Sequence, residues 1–126
     1  MPNWNPNWTD VVWNWGAAAA ASNALRRAAG QLDQTTDVRA SVAGEAQQEW
    51  RGHHRETFDV DLRGVTVSFR SLAEEMRAAA NRIDAASDRA RAEQNHRERE
   101  RDRWRREKER EEREERERRD RERRRR

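Results

Sequence analysis

The chain has 126 residues, of which 33% are hydrophobic and 42% charged, with a formal net charge of +3. That is too little apolar material for a globular core of ordinary proportions; it suits long helices and coiled coils, and leaves room for one small domain at most. With no Cys in the sequence, disulfides, Cys-ligated zinc and thiol chemistry are excluded.

The net charge averages two different regions. Residues 1–94 hold 11 Arg against 13 Asp/Glu, a net −2, whereas residues 95–126 hold 17 Arg/Lys against 12 Asp/Glu, a net +5. A weakly acidic body therefore carries a dense mixed-charge tail, with a boundary near Asn95. Lys108 stands alone beside 27 Arg, and with the abundant Ala this usage points to a GC-rich, actinobacterial genome. No stretch approaches the roughly 20 apolar residues of a membrane span. The Ala run at residues 17–21 is too short and too weakly apolar for a signal-peptide core, and no basic segment precedes it. The expected location is the cytoplasm, without membrane insertion.

Residues 1–9, rich in Asn, Pro and Trp, are expected to be extended ahead of the first helix. Asn7 or Thr9 is placed to cap that helix, with Asp10 at its positive end. Trp4, Trp8, Trp13 and Trp15 crowd this start. In a helix beginning near Asp10, Trp8, Val11 or Val12, and Trp15 share a face that Trp13 does not. Such rings either cover the open end of a bundle or form an exposed aromatic patch for a partner.

The first helix is predicted over residues 10–48. Its apolar seam is Leu25, Ala28/Ala29, Leu32, Thr35/Thr36, Val38, Val42 and Ala46. Many of these positions are small, which lets a neighbouring helix come close while burying little area. Gly30 and Gly44 each cost roughly 1 kcal/mol against Ala in a helix interior. The second helix is predicted from His53 past Ala90. Phe58, Leu62, Val65, Phe69, Leu72, Met76, Ala79, Ile83, Ala86 and Ala90 follow at alternating steps of four and three, the repeat of a helix whose seam faces a partner helix. Between the two stretches stands Trp50-Arg51-Gly52. Gly can take a backbone conformation that a Cβ resists, and Trp50 can fold its ring over the junction, so the tripeptide reads as the turn of an antiparallel hairpin. One such hairpin has a meagre core for the backbone it orders, whereas two packed into a four-helix bundle share their apolar faces. Leu25, Leu32, Val42, Phe58, Leu62, Val65, Phe69, Leu72, Met76 and Ile83 are the candidate core and partner interface.

Trp50-Arg51-Gly52, the Ala/Leu-rich helix before it and the heptad after it together resemble the W-x-G (WXG) superfamily of small helical hairpins, the early-secreted-antigen-like substrates of type VII secretion systems. Phe58, six residues beyond the Gly, sits where such proteins often carry an aromatic. The resemblance covers roughly residues 10–94. It implies an antiparallel hairpin that pairs into a four-helix bundle, as a homodimer or as a heterodimer with another WXG-like protein. It also implies contact with the type VII secretion machinery and export in folded form without a cleavable signal peptide. The family commonly carries Tyr-x-x-x-Asp/Glu just beyond its second helix, and this chain has no Tyr. The nearest spacing match is His96-x-x-x-Glu100. Either these two residues form a degenerate export signal, or a partner supplies one, or the chain is not exported.

Residues 95–126 are a Glu/Arg tail, expected as a solvent-exposed single helix continuing the second, or else as disordered chain. Glu109 with Arg113, Glu112 with Arg116, Glu114 with Arg118, Glu117 with Arg121 and Glu122 with Arg126 are pairs spaced i,i+4 with the acid first, the favourable order. Residues 123–126 are a uniform basic run that could neutralise phosphates. Interleaved acids elsewhere in the tail would meet phosphates too, and a basic zipper places its basic region before its heptads, so nucleic-acid binding is disfavoured. His53 and His54 are neighbours pointing about 100° apart on a helix, unsuited to sharing a metal. There is no His-Glu-x-x-His motif and no Gly-rich phosphate loop. Ser41, Ser68, Ser71 and Ser87 have no base nearby in sequence. The expectation is an all-α, non-enzymatic protein with neither metal nor cofactor. It divides into an extended segment (residues 1–9), a hairpin (10–94) and a charged tail (95–126), and acts through dimerisation. The alternatives are a cytoplasmic coiled-coil scaffold or spacer, and a nucleic-acid-associated protein using its Arg-rich end.

Overall fold

The computed structural model describes residues 1–48 and 50–126. It contains two helices, α1 (Trp15–Gln47) and α2 (His53–Arg125), and no strand among the described residues. Contacts divide the chain into two units: residues 14–87, and residues 1–13 together with 88–126.

The first unit is a helical hairpin. Asn14 starts α1: its backbone is extended, its side-chain oxygen accepts from the Ala17 amide at 2.9 Å, and its carbonyl accepts from Ala18 at 3.0 Å. The first helix therefore begins at Trp15, five residues later than the pattern predicted. Asn7 and Thr9 are not its cap; the Asn7 side chain instead accepts from the Thr9 amide at 2.9 Å in a local turn. The helical face expected to join Trp8 and Trp15 does not exist. After the turn, Gly52 has φ +109° and its carbonyl accepts from the Glu56 amide at 3.3 Å, opening α2 at His53 where the sequence placed it. Glu56, in the first turn, faces the positive end of the helix.

What is fully buried between the helices is small. Ser22, Ala29, Thr36 and Ala43 of α1 follow at intervals of seven, and Ala73 and Ala80 of α2 do the same. Short side chains let the two backbones approach closely, and interval-seven spacing keeps them on one line of each helix. The two buried hydroxyls are satisfied within their own helix: Ser22 donates to the Ala19 carbonyl at 3.2 Å and Thr36 to the Leu32 carbonyl at 2.8 Å. Side-chain pairs fix the antiparallel register. Arg26 meets Asp84 at 2.6 Å and Asn81 at 3.0 Å, Arg77 meets Asp33 at 2.5 Å, and Gln47 donates to Asp59. Near the open end, the Trp15 indole donates to the Ser87 carbonyl at 3.0 Å.

The second unit departs from the expected bare tail. The helix does continue to Arg125, but residues 1–13 lie in irregular conformation against residues 94–111 of it, with Pro6 buried. Among the described residues of the distal tail, Glu115 pairs with Arg119 at 2.7 Å, outside the five pairs expected.

Candidate functional site

Counting from the buried seam shows what lies on either side of it. Four residues after a seam position stand Arg26, Asp33 and Gln47 on α1, and Arg77 and Asp84 on α2. These are the groups that pair across the hairpin. Three residues after a seam position stand Leu25, Leu32, Met76 and Ile83, with Phe69 one heptad before Met76, and one before stand Val42 and Leu72. Phe58, Leu62 and Val65 occupy the same two positions one or two heptads earlier on α2. One flank of the hairpin is thus polar and cross-linked, the other apolar.

The apolar flank is only partly covered. Leu25, Leu32, Phe58, Leu62, Phe69, Met76 and Ile83 are half-buried, while Val42 is 60% exposed, Leu72 41% and Val65 39%. The large residues read from the sequence as one seam therefore do not form the centre of the hairpin. They border it, because the small residues beside them occupy the line of closest approach. Near the turn the flank opens into a groove of about 390 Å³ lined by Val38, Val42, Ala46, Phe58 and Leu62, with Arg39 at its rim. Arg39 holds its guanidinium 5.2 Å above the Phe69 ring, so its charge is stacked on the apolar strip rather than interrupting it.

The turn sits at the end of this groove. Trp50 packs its ring against Phe58, centroids 5.2 Å apart and tilted by 48°, and remains 37% exposed. Arg51 and Gly52 are exposed. A Cβ on Gly52 would meet nothing within 4 Å, so the demand for Gly comes from its φ of +109° and not from crowding.

Arg26 beside Asp84 holds that carboxyl below its ordinary range through a hydrogen bond. His53 and His54 are exposed, with ring centroids 6.1 Å apart. No group of three His, Asp or Glu is gathered as metal ligands among the described residues, and none of the described helices is long and apolar enough to cross a membrane. His96 is exposed on α2, while Glu100, one turn on, is half-buried and 3.4 Å from Arg103.

One feature was read in part and another escaped the sequence reading. Ala29 and Thr36 of the Ser22-Ala29-Thr36-Ala43 line stood among the expected seam positions, whereas Ser22 and Ala43 pass for a surface residue and a helix former. The attachment of residues 1–13 to the tail left one trace: Gln94, Arg97, Arg101 and Trp104 continue the three-four stepping into a segment that otherwise reads as uniform charge. Comparison with protein-family models, curated proteins and solved structures brings no match.

Proposed function

We propose that this chain is a non-enzymatic helical hairpin of the W-x-G type that pairs through its apolar flank with a second hairpin. It would act as a substrate, co-substrate or helper of type VII secretion. The observation that carries this reading is the flank itself. A row of Val, Leu and Phe runs along one side of the hairpin and stays partly open to water beside the Trp50-Arg51-Gly52 turn, and apolar strips of that extent mark interaction sites. Pairing two such flanks makes a four-helix bundle, either a homodimer or a heterodimer with another W-x-G hairpin. The chain then acts from the cytoplasm or leaves it folded. His96 and Glu100, or a signal on the partner, would serve export. A scaffold or spacer role is the second reading, favoured by the 73 residues of uninterrupted helix in α2.

Co-purification from the native host, with mass spectrometry of cell pellet and culture medium, tests the assignment. A second small helical hairpin should accompany the chain. Val65→Glu with Leu72→Glu should abolish that association while leaving helicity by circular dichroism unchanged. A chain that is monomeric, alone and retained in the cell would sink the proposal.

A further inference from the structure

The N-terminal segment is held on α2 by a ladder that reads mainly its main chain. Trp104 Nε1 donates to the Trp4 carbonyl at 2.9 Å, Arg101 Nε to the Asn7 carbonyl at 2.9 Å and Arg97 Nη1 to the Thr9 carbonyl at 3.0 Å. Gln94 Oε1 accepts from the Val11 amide at 2.8 Å. The donors and acceptor step along the helix at intervals of three, four and three, so one stripe of side chains meets one extended strap. Its side chains are seated as well. The Trp4 indole donates to Glu107 at 2.6 Å with Arg103 4.5 Å above its ring, and Trp8 meets Trp104 edge-to-face at 5.3 Å. Asp10 pairs with Arg101 at 2.8 Å. This is the arrangement of a peptide on a receptor, with ligand and receptor joined in one chain.

Two observations say that the strap is separable from its surroundings. It leads into α1 through Val12, which is 95% exposed, and α1 is capped by Asn14 without help from the strap. The closed form also carries a fault: Arg101 Nη2 is buried with no hydrogen-bond partner, a cost that opening relieves.

We propose that residues 94–107 of α2 are a docking surface for an extended, tryptophan-bearing segment, and that its partner in trans is the strap of a second copy. Each copy carries both the ligand and the receptor, so exchange between two chains preserves every contact seen within one. Within a single chain the tether gives the strap a high effective concentration, so exchange shows only when the local competitor is removed.

Full-length variants separate the two halves. One chain carries Arg101→Ala with Trp104→Ala, leaving its strap intact, and a donor fluorophore at Asn3→Cys; the absence of native Cys makes the labelling site unique. The other carries Trp4→Ala with Trp8→Ala, leaving its ladder intact, and an acceptor at Glu112→Cys. Mixing the two should give energy transfer at micromolar concentration. Transfer should fall at least tenfold when the acceptor chain also carries Arg101→Ala with Trp104→Ala. Both pairs keep the same apolar hairpin flanks, so transfer arising from hairpin pairing would be equal in the two. Equal transfer, or none in the complementary pair, overturns the proposal. If the ladder variant loses helicity, Gln94→Ala with Arg97→Ala removes two rungs and leaves Trp104 in place.

Discussion

Gly52, Gly30 and Gly44 have the same room around them and opposite consequences. A Cβ at any of the three meets nothing within 4 Å, yet only Gly52 of them has a positive φ, at +109°. Gly52→Ala should destabilise the hairpin by about 1–3 kcal/mol through backbone strain. Gly30→Ala and Gly44→Ala, both inside α1, should each stabilise it by up to about 1 kcal/mol. Urea unfolding followed by circular dichroism checks the signs, and a neutral Gly52→Ala would show that the turn imposes no conformation. Asp10 makes a second residue-scale prediction. Its carboxyl is lowered from 3.8 by the Arg101 hydrogen bond, then by Gln94. A depressed acid lends its stabilisation above its ordinary pKa and loses it as pH falls through the depressed value. The contribution of Asp10 to the strap should therefore be constant above pH 5 and fade below 3.8, by the small amount that exposed pairs allow. Tryptophan emission against pH, compared between the native chain and Asp10→Asn, reads this; identical acid profiles for the two would contradict it.

At the scale of elements, the hairpin is governed by its smallest side chains. Ala73 and Ala80 have no exposed surface, and the facing residues of α1 are Ser, Thr and Ala. Leu at position 73 would force the helices apart along the line that brings Arg26 to Asp84 and Asp33 to Arg77. Ala73→Leu should cost about 1–3 kcal/mol, measured by urea unfolding, with near-native helicity retained in the folded form. A stabilised variant would mean the seam has spare volume. This seam also explains what could be read from the sequence. The start of α2 and the turn were legible because Gly52 stands between two long periodic stretches. The start of α1 was not, because Asn7, Thr9 and Asn14 are all capping residues. Contacts from Gln94, Arg97 and Arg101, more than 80 positions away, hold Asn7, Thr9, Asp10 and Val11 out of the helix. The large residues border the seam instead of filling it, since side-chain size is a poor guide to which line two helices share.

For the whole molecule, the charged tail and the Trp/Asn/Pro start are each bland alone and become specific together. Interleaved Arg and Glu on α2 supply donors for the carbonyls of Asn7 and Thr9 and acceptors for the Trp4 indole, a use that composition cannot reveal. The exposed flank of the hairpin and the covered stripe of the distal helix are different kinds of surface. One is apolar and lacks an occupant within its unit; the other is polar and aromatic and already has one.

The strap has a consequence for the order in which the molecule is made. Its contacts join residues 83 to 110 positions apart, so Trp4 and Trp8 leave the ribosome long before Arg101 and Trp104 exist. The helices of the hairpin can pair during that interval, because their partners are nearer in sequence and local contacts form first. Closure of the strap then follows pairing of the hairpin. Until it happens the nascent chain displays two indoles and an Asn/Pro-rich peptide to whatever waits at the tunnel exit.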